Sequence, residues 1–286
     1  HTDWSDALLY TADGGGDNVQ YSHRLFRDGR IETLSGGDDA SLAPVRIDSL
    51  GRAYGAATKA LGYKVNRHEG KLTGLAAFGE PKLYDEMAAH FDIDDDGVIL
   101  SDFPSFDAMD AWFVERCRSV EPADAAASIQ KVLEEFVLTA VGRLLDKTGA
   151  RNLGLAGGVF ANVRLNQRLA EELPVDEVFI YPAMGDQGLA VGGVLQYLLE
   201  RDGPETWLGH RHPIEHLYYG RDFGSEIDDL LGGDPRFRRL DGAPADVAAE
   251  LLAAGGIVAI YTRGMEHGPR ALGARSILGS PADARI

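Results

Sequence analysis

The chain has 286 residues, 44% of them hydrophobic and 26% charged, and 45 acidic against 28 basic side chains give it a formal charge of −17. This length and balance build one large or two medium folded domains and exclude a disordered chain, while the acidic excess opposes a phosphate backbone, so no nucleic-acid partner is expected. No apolar run reaches the roughly 18–20 residues of a bilayer span, no secretory leader is visible, and Cys117, the sole cysteine, cannot form an intrachain disulfide; these features predict a cytoplasmic protein with no membrane partner.

Ala7 to Ala12 (ALLYTA) predicts a strand that ends in a turn at Asp13-Gly-Gly-Gly-Asp17. Val19 to Phe26 and Ile31 to Leu34, joined at Asp28-Gly29, predict an antiparallel meander. HEGKLTGLAAFGEP, residues 68–81, reads as a glycine turn leading into a small-residue helix; its Lys71 is either a phosphate contact or a surface lysine. Between Asp124 and Leu145 the apolar residues recur at three- and four-residue steps, which predicts an amphipathic helix stopped by Gly149. Two similar units follow. Leu153 to Ala156 turns at Gly157-Gly158 into a helix through Leu165 and Leu169, and Val178 to Tyr181 turns at Gly185 to Gly188 into a helix through Leu198. Strand, glycine turn, helix, repeated, predicts an α/β layer with its turns at one edge of the sheet. Arg201 to Pro213 reads as a linker, and Pro213 argues against the helix that His212 and His216 would need to share a metal ion. A predicted helix at 245–254 and strand at 257–261 then open another α/β unit, which runs into GMEHGPRALGARSIL, residues 264–278.

Three of these glycine-rich turns, DGGGD, AGGVFAN and MGDQG, each follow a predicted strand. Glycine lets backbone amides approach phosphate oxygens, and a helix beginning just beyond adds its positive end. An aspartate in such a turn repels phosphate but can hold a divalent cation that bridges to it, so the three turns together describe a metal–nucleotide cleft. The arginines of GMEHGPRALGARSIL, held on a tight turn, suit a second anion; the plain alternative is a surface loop.

GKLTGLAAFGEP, LAGGVFANVRLNQRL, YPAMGDQGLAVGG and GMEHGPRALGARSIL, in this order and at these separations, resemble the O-carbamoyltransferases of the nodulation-protein and antibiotic-biosynthesis group, and the similarity covers nearly the whole chain. The resemblance implies an α/β enzyme of two domains. Residues 1–209 would form an actin/hexokinase-type (ASKHA, Kae1-like) nucleotide- and metal-binding domain, and residues 210–286 the beginning of a YrdC-like α/β domain. It further implies that carbamoyl phosphate and ATP give carbamoyl adenylate and pyrophosphate in the second domain. A hydroxyl of a small molecule or sugar then attacks the carbamoyl carbon in the first, assisted by a divalent metal, Fe or Mg. Matched to the family's motifs, Asp13, Gly14 and Gly15 form the phosphate turn, Gly157, Gly158 and Asn162 the nucleoside turn, and Asp186 the metal aspartate. Arg270 and Arg275 correspond to residues that hold carbamoyl phosphate or a nucleotide phosphate.

The sequence departs from the pattern at Gly264, where the family usually places arginine; here Arg263 precedes it. The family's HxxxH metal pair would precede Ala7, and its basic carbamoyl-phosphate stretch would lie past Ile286. The expectation is therefore an internal portion of a longer protein that does not complete a turnover alone. A sugar-kinase-like phosphotransferase or ATPase on the same fold, and a catalytically degenerate nucleotide-binding module, stand as alternatives. A homodimer is the expectation from the prevalence of two-fold assemblies.

Overall fold

The computed structural model describes residues 1–282, which divide into two units, the first His1–Pro213 and the second from Ile214 onward. Both mix helices with strands.

The first unit is built on a five-stranded mixed sheet in the order β3-β2-β1-β6-β7. Strands β1 (Asp6–Gly16), β2 (Val19–Arg27) and β3 (Arg30–Ser35) form the expected meander. Its hairpin tips are Asp17-Asn18 (φ 48° and 61°) and Asp28-Gly29 (φ 48° and 77°). Two consecutive left-handed residues give the type I′ turn, whose twist matches that of paired strands. The triglycine differs from expectation. Gly14 to Gly16 continue β1, and the register with β2 shifts between Ala12 and Gly16, so the turn comes one step later at Asp17-Asn18. Residues without Cβ permit this bulge where bulkier ones resist it.

Helices α1 (Leu50–Ala60) and α2 (Glu69–Ala76), the short α3 (Tyr84–Ala88), and α4 (Phe106–Cys117) follow, with a small hairpin of β4 (Phe91–Ile93) and β5 (Ile99–Ser101) between the last two. The core helix is α5 (Pro122–Thr148), whose first position holds Pro122 and whose end is capped by left-handed Gly149, donating its N–H to the Leu145 carbonyl at 2.8 Å. Ile129, Val132, Val137, Ala140, Val141 and Leu144 line one stripe of it and are buried. Cys117 is buried at the end of α4, where loss of solvent pushes its thiol up to about 12.

The two strand–turn–helix units are present as β6 (Asn152–Ala156) with α6 (Val163–Glu172), and β7 (Glu177–Ile180) with α7 (Leu189–Asp202). Strand β6 lies parallel to both β1 and β7, with Thr11 opposite Ala156 and Leu155 opposite Ile180. The linker reading of 201–213 is corrected in part, because α8 (Pro204–Gly209) forms inside it: Gly203 (φ 81°) breaks α7 and Pro204 starts a new turn. No helix carries His212 and His216.

The second unit contains α9 (Ser225–Gly232), α10 (Pro244–Ala253) and a two-stranded ribbon of β8 (Val258–Ala259) with β9 (Ile277–Leu278), paired Val258 to Leu278 and Ala259 to Ile277.

Candidate functional site

Because β1, β6 and β7 are neighbours and parallel, the last residues of β1 and the segments that leave β6 and β7 lie side by side. Those segments carry Asp13 to Gly15, Gly157 to Asn162, and Gly185-Asp186. Open α/β sheets bind ligands at this end, because strand ends and helix starts present unpaired amides there.

Direct contacts tie the three segments together. The Gly158 N–H donates to Asp13 Oδ2 at 2.8 Å, and the Gly14 N–H to Asp13 Oδ1 at 2.5 Å. The Gly157 N–H donates to the Met184 carbonyl at 2.6 Å, joining the second turn to the third. Gly157 sits at φ 103°, and a Cβ there would stand 2.0 Å from the Ala12 carbonyl oxygen, so only glycine lets β6 turn this close to β1. The start of α1 closes one side: Ser49 Oγ donates to the Asp13 carbonyl at 2.8 Å and accepts the Arg52 N–H as the helix cap.

The predicted residues fill different roles in this arrangement. Gly14 and Gly15 are exposed along the bulge. Asp13 is half-buried, its carboxylate on two amides. Asp186 is exposed and opens a short turn that ends at Gly188. Asn162 is buried, and its Oδ1 accepts the Leu165 N–H at 3.1 Å, capping α6. Its remaining contacts are to Gln130 of α5, with Nδ2 donating to Gln130 Oε1 at 2.8 Å. Gln130 and Glu134 of α5 and Arg168 of α6 went unnoticed in the sequence; the available signal was a glutamine and a glutamate on the buried stripe of a core helix. Among the described residues no three His, Cys, Asp or Glu side chains gather to hold a metal ion. Asp13 and Asp186 are two carboxylates at this edge, and the described residues do not complete a metal site.

In the second unit, backbone pairing continues past β8 and β9, with the Ile260 N–H donating to the Ser276 carbonyl (2.7 Å) and the Thr262 N–H to the Ala274 carbonyl (3.0 Å). Residues 263–273 form the loop that this ladder closes. Arg275 fastens it: Nη1 donates to the carbonyls of Thr262 (2.5 Å) and Ala274 (2.8 Å), and Nη2 to that of Arg263 (3.1 Å). Its guanidinium lies 3.6 Å from the centre of the Tyr261 ring. Glu266 Oε1 accepts the Leu272 N–H at 2.9 Å across the same loop. Much of the Arg275 fork is thus spent on the chain itself, whereas Arg270 lies half-buried in the middle of the loop. Gly264, the departure from the family pattern, is buried, and a Cβ on it would come within 2.5 Å of the Gly220 carbonyl oxygen, which leaves no room for arginine.

Residues 2–195 match the family described as Carbamoyltransferase N-terminus, and residues 249–286 match Carbamoyltransferase C-terminus. An uncharacterised protein of Methanocaldococcus jannaschii is 32% identical over 98% of this chain and 48% of its own length. Nodulation protein NolNO of Sinorhizobium fredii is 33% identical over 98% of the chain and 41% of its own length. For nodulation protein NolO of Bradyrhizobium diazoefficiens the figures are 31%, 98% and 51%. The chain spans about half the length of these relatives. No helix among the described residues is long and apolar enough to cross a membrane.

Proposed function

The chain belongs to the carbamoyltransferase family, and from that premise we propose that the protein carrying it transfers a carbamoyl group from carbamoyl phosphate, through carbamoyl adenylate, to a hydroxyl of a small molecule or sugar. In the first step carbamoyl phosphate loses its phosphate to water, and the resulting carbamate oxygen attacks the α-phosphorus of ATP as pyrophosphate leaves. In the second the acceptor oxygen attacks the carbamoyl carbon, the hydroxyl proton is lost, and AMP departs.

The observation that supports this reading is the assembly of three glycine-rich segments at the carboxyl ends of three adjacent parallel strands. In this proposal the first unit cradles adenylate. Gly14 and Gly15, without side chains, let its phosphate approach the strand end, the Gly14 and Gly158 amides hold the Asp13 carboxylate in place, and the α6 start adds a fixed dipole. Asp186 is one donor to a divalent cation, Fe or Mg, which would stabilise charge on the phosphates when bound. In the second unit Arg270 meets the carbamoyl phosphate or nucleotide anion, while Arg275 contributes by holding the loop in shape and through whatever part of its fork the carbonyls leave available.

Product analysis tests the proposal. The protein carrying this chain, given ATP, carbamoyl phosphate, a divalent metal and candidate hydroxyl compounds, is expected to yield AMP, pyrophosphate and a carbamoylated acceptor by mass spectrometry. Formation of ADP with a phosphorylated acceptor would replace this reading with the phosphotransferase one. Retention of the carbamoylation rate in Asp186→Ala would remove Asp186 from the site.

A further inference from the structure

Directly behind the glycine segments, the first unit buries a connected set of polar side chains with Gln130 at its centre. Gln130 is 5% exposed and lies on α5 beside Ile129, Val132 and Leu133. Its Oε1 accepts from Tyr54 Oη at 2.8 Å and from Asn162 Nδ2 at 2.8 Å. Its Nε2 donates to Glu134 Oε1 at 2.7 Å and to Asn162 Oδ1 at 3.2 Å. A glutamine amide has two acceptor and two donor positions, and all four are used. The partners extend the reach: Tyr54 Oη also shares a hydrogen bond with Thr73 Oγ1 of α2 at 3.0 Å, and Glu134 Oε2 accepts from Arg168 Nη1 of α6 at 2.9 Å. One side chain therefore joins α1 to the end of the 157–162 turn, and through single intermediates reaches α2 and the middle of α6.

Burial makes this connection consequential. Unpaired polar groups in such a place carry the full desolvation cost, so the network has one favourable arrangement. Asn162 is committed by it. With Oδ1 on the Leu165 and Gln130 donors and one Nδ2 hydrogen on Gln130, it retains a single amide hydrogen for anything else. The chemistry also explains the residue type at 130. A glutamate would face its oxygens toward those of Glu134 and Asn162, acceptor against acceptor, and a methionine would keep the volume but lose every bond.

We infer that Gln130 is the positioning residue of the candidate nucleoside turn: by clasping Asn162 it fixes the α6 cap, and with it the 157–162 turn, in the geometry that receives a nucleotide. The same clasp, through Tyr54 and Thr73, couples the turn to the GKLTGLAAFGEP helix, a motif that the functional reading otherwise leaves without work. This inference rests on the reading of the sheet edge as a nucleotide cradle.

The test compares the chain with its Gln130→Met, Asn162→Ala and doubly substituted forms. ATP affinity is measured by calorimetric titration, and backbone hydrogen exchange is followed along the chain. Gln130→Met is expected to weaken ATP binding about tenfold, the scale of one lost hydrogen bond's worth of pre-organisation. It is expected to raise exchange in residues 157–165 while α4 and the β1–β2 hairpin keep their protection. The double variant should bind no worse than the weaker single one, because both remove the same clasp. Wild-type affinity in Gln130→Met, additive losses, or exchange that is unchanged or rises evenly along the chain would overturn the inference. If the unsubstituted chain binds no ATP, the nucleotide reading fails, and the clasp stands or falls on whether the exchange change is local.

Discussion

Replacing Gly157 by alanine sets a sharp demand on the geometry of the sheet edge. The residue occupies φ 103° and ψ 154°, a region open to glycine alone, and its added methyl would lie 2.0, 2.6 and 2.9 Å from the carbonyl oxygen, carbonyl carbon and nitrogen of Ala12. The backbone strain costs about 1–3 kcal/mol, and displacing the β1 backbone adds overpacking of about 1–3 kcal/mol. The sum of about 2–6 kcal/mol lowers the melting temperature of a unit this size by about 2–4 °C for each kcal/mol. Gly158→Ala is the control one residue away. Its φ lies outside the left-handed region and its methyl would rest 3.4 Å from Asp13 Oδ2, an ordinary contact. Thermal unfolding followed by circular dichroism should therefore show a fall of several degrees for Gly157→Ala and little for Gly158→Ala. Titration with ATP should show weakened binding in both, since each places a methyl group at the cradle. Coincident melting of wild type and Gly157→Ala, or a lower midpoint for Gly158→Ala than for Gly157→Ala, would refute the geometry.

Three further outcomes follow from the buried polar groups. Among the described residues Tyr10 Oη is buried without a hydrogen-bond partner, so Tyr10→Phe should raise the urea midpoint, recovering part of the about 1–3 kcal/mol that an unpaired hydroxyl costs; a lower midpoint would reveal a partner. His23 is fully buried and stacked on Tyr10 with ring centroids 4.6 Å apart, and desolvation, opposed by the charge of Asp94, lowers its pKa to about 4. A depressed histidine is neutral when folded and protonated first when unfolded, so its stabilising contribution is whole above about pH 6.5 and is lost as pH falls toward 4. The loss is about 3 kcal/mol at about 1.4 kcal/mol per pH unit, and wild type should lose that much more than His23→Leu in denaturant titrations at pH 6.5 and pH 4. Arg168, its side chain 15% exposed, bridges Glu134, Glu135 and Glu172. Arg168→Met should cost about 3–5 kcal/mol by stranding the buried Glu134 charge, with Glu134→Gln restoring a measurable part; no restoration would place the cost elsewhere.

Much of the first unit was legible because its signals are local. Asp-Gly at 28–29 needs only its own two backbone conformations to make a hairpin, and the stripe on α5 needs only the helical period. A triglycine permits both a turn and a bulge, so its residues alone do not decide between them; the choice is made by Asp17-Asn18, whose left-handed backbone supplies the hairpin. The 201–213 stretch looked like a linker from its Gly, Pro and His content, yet a proline at the first helical position favours a helix as readily as it ends one. The placement of Gly157 and Asp186 at one edge follows from repeated strand–turn–helix order, since parallel neighbours put their turns at the same end, whereas that of Asp13 depends on β1 of the meander pairing parallel to β6. What stayed hidden depends on partners far along the chain. Gln130 and Asn162 are 32 residues apart, and only the fold makes them a pair. Arg275 resembled an anion ligand by residue type, but its contacts with the Thr262, Arg263 and Ala274 carbonyls depend on how the 263–273 loop closes.

The glycines at the sheet edge separate into two kinds once their surroundings are known, and the separation bears on function. Gly157 is required by the chain itself, because backbone atoms of β1 occupy the place of a side chain. Gly14 is different: its φ is ordinary, nothing lies within 4 Å of where a Cβ would be, and it is exposed. The fold would accept alanine there. The Gly14 amide, like that of Gly158, holds the Asp13 carboxylate, so the open side of this strand end presents an oriented carboxylate beside a backbone with no side chain in the way, an arrangement for a cation that brings an anion with it. The edge therefore combines a part made rigid by steric need with a part kept open to a ligand's approach, and a carboxylate already oriented by two amides lowers the reorganisation that holding a cation demands.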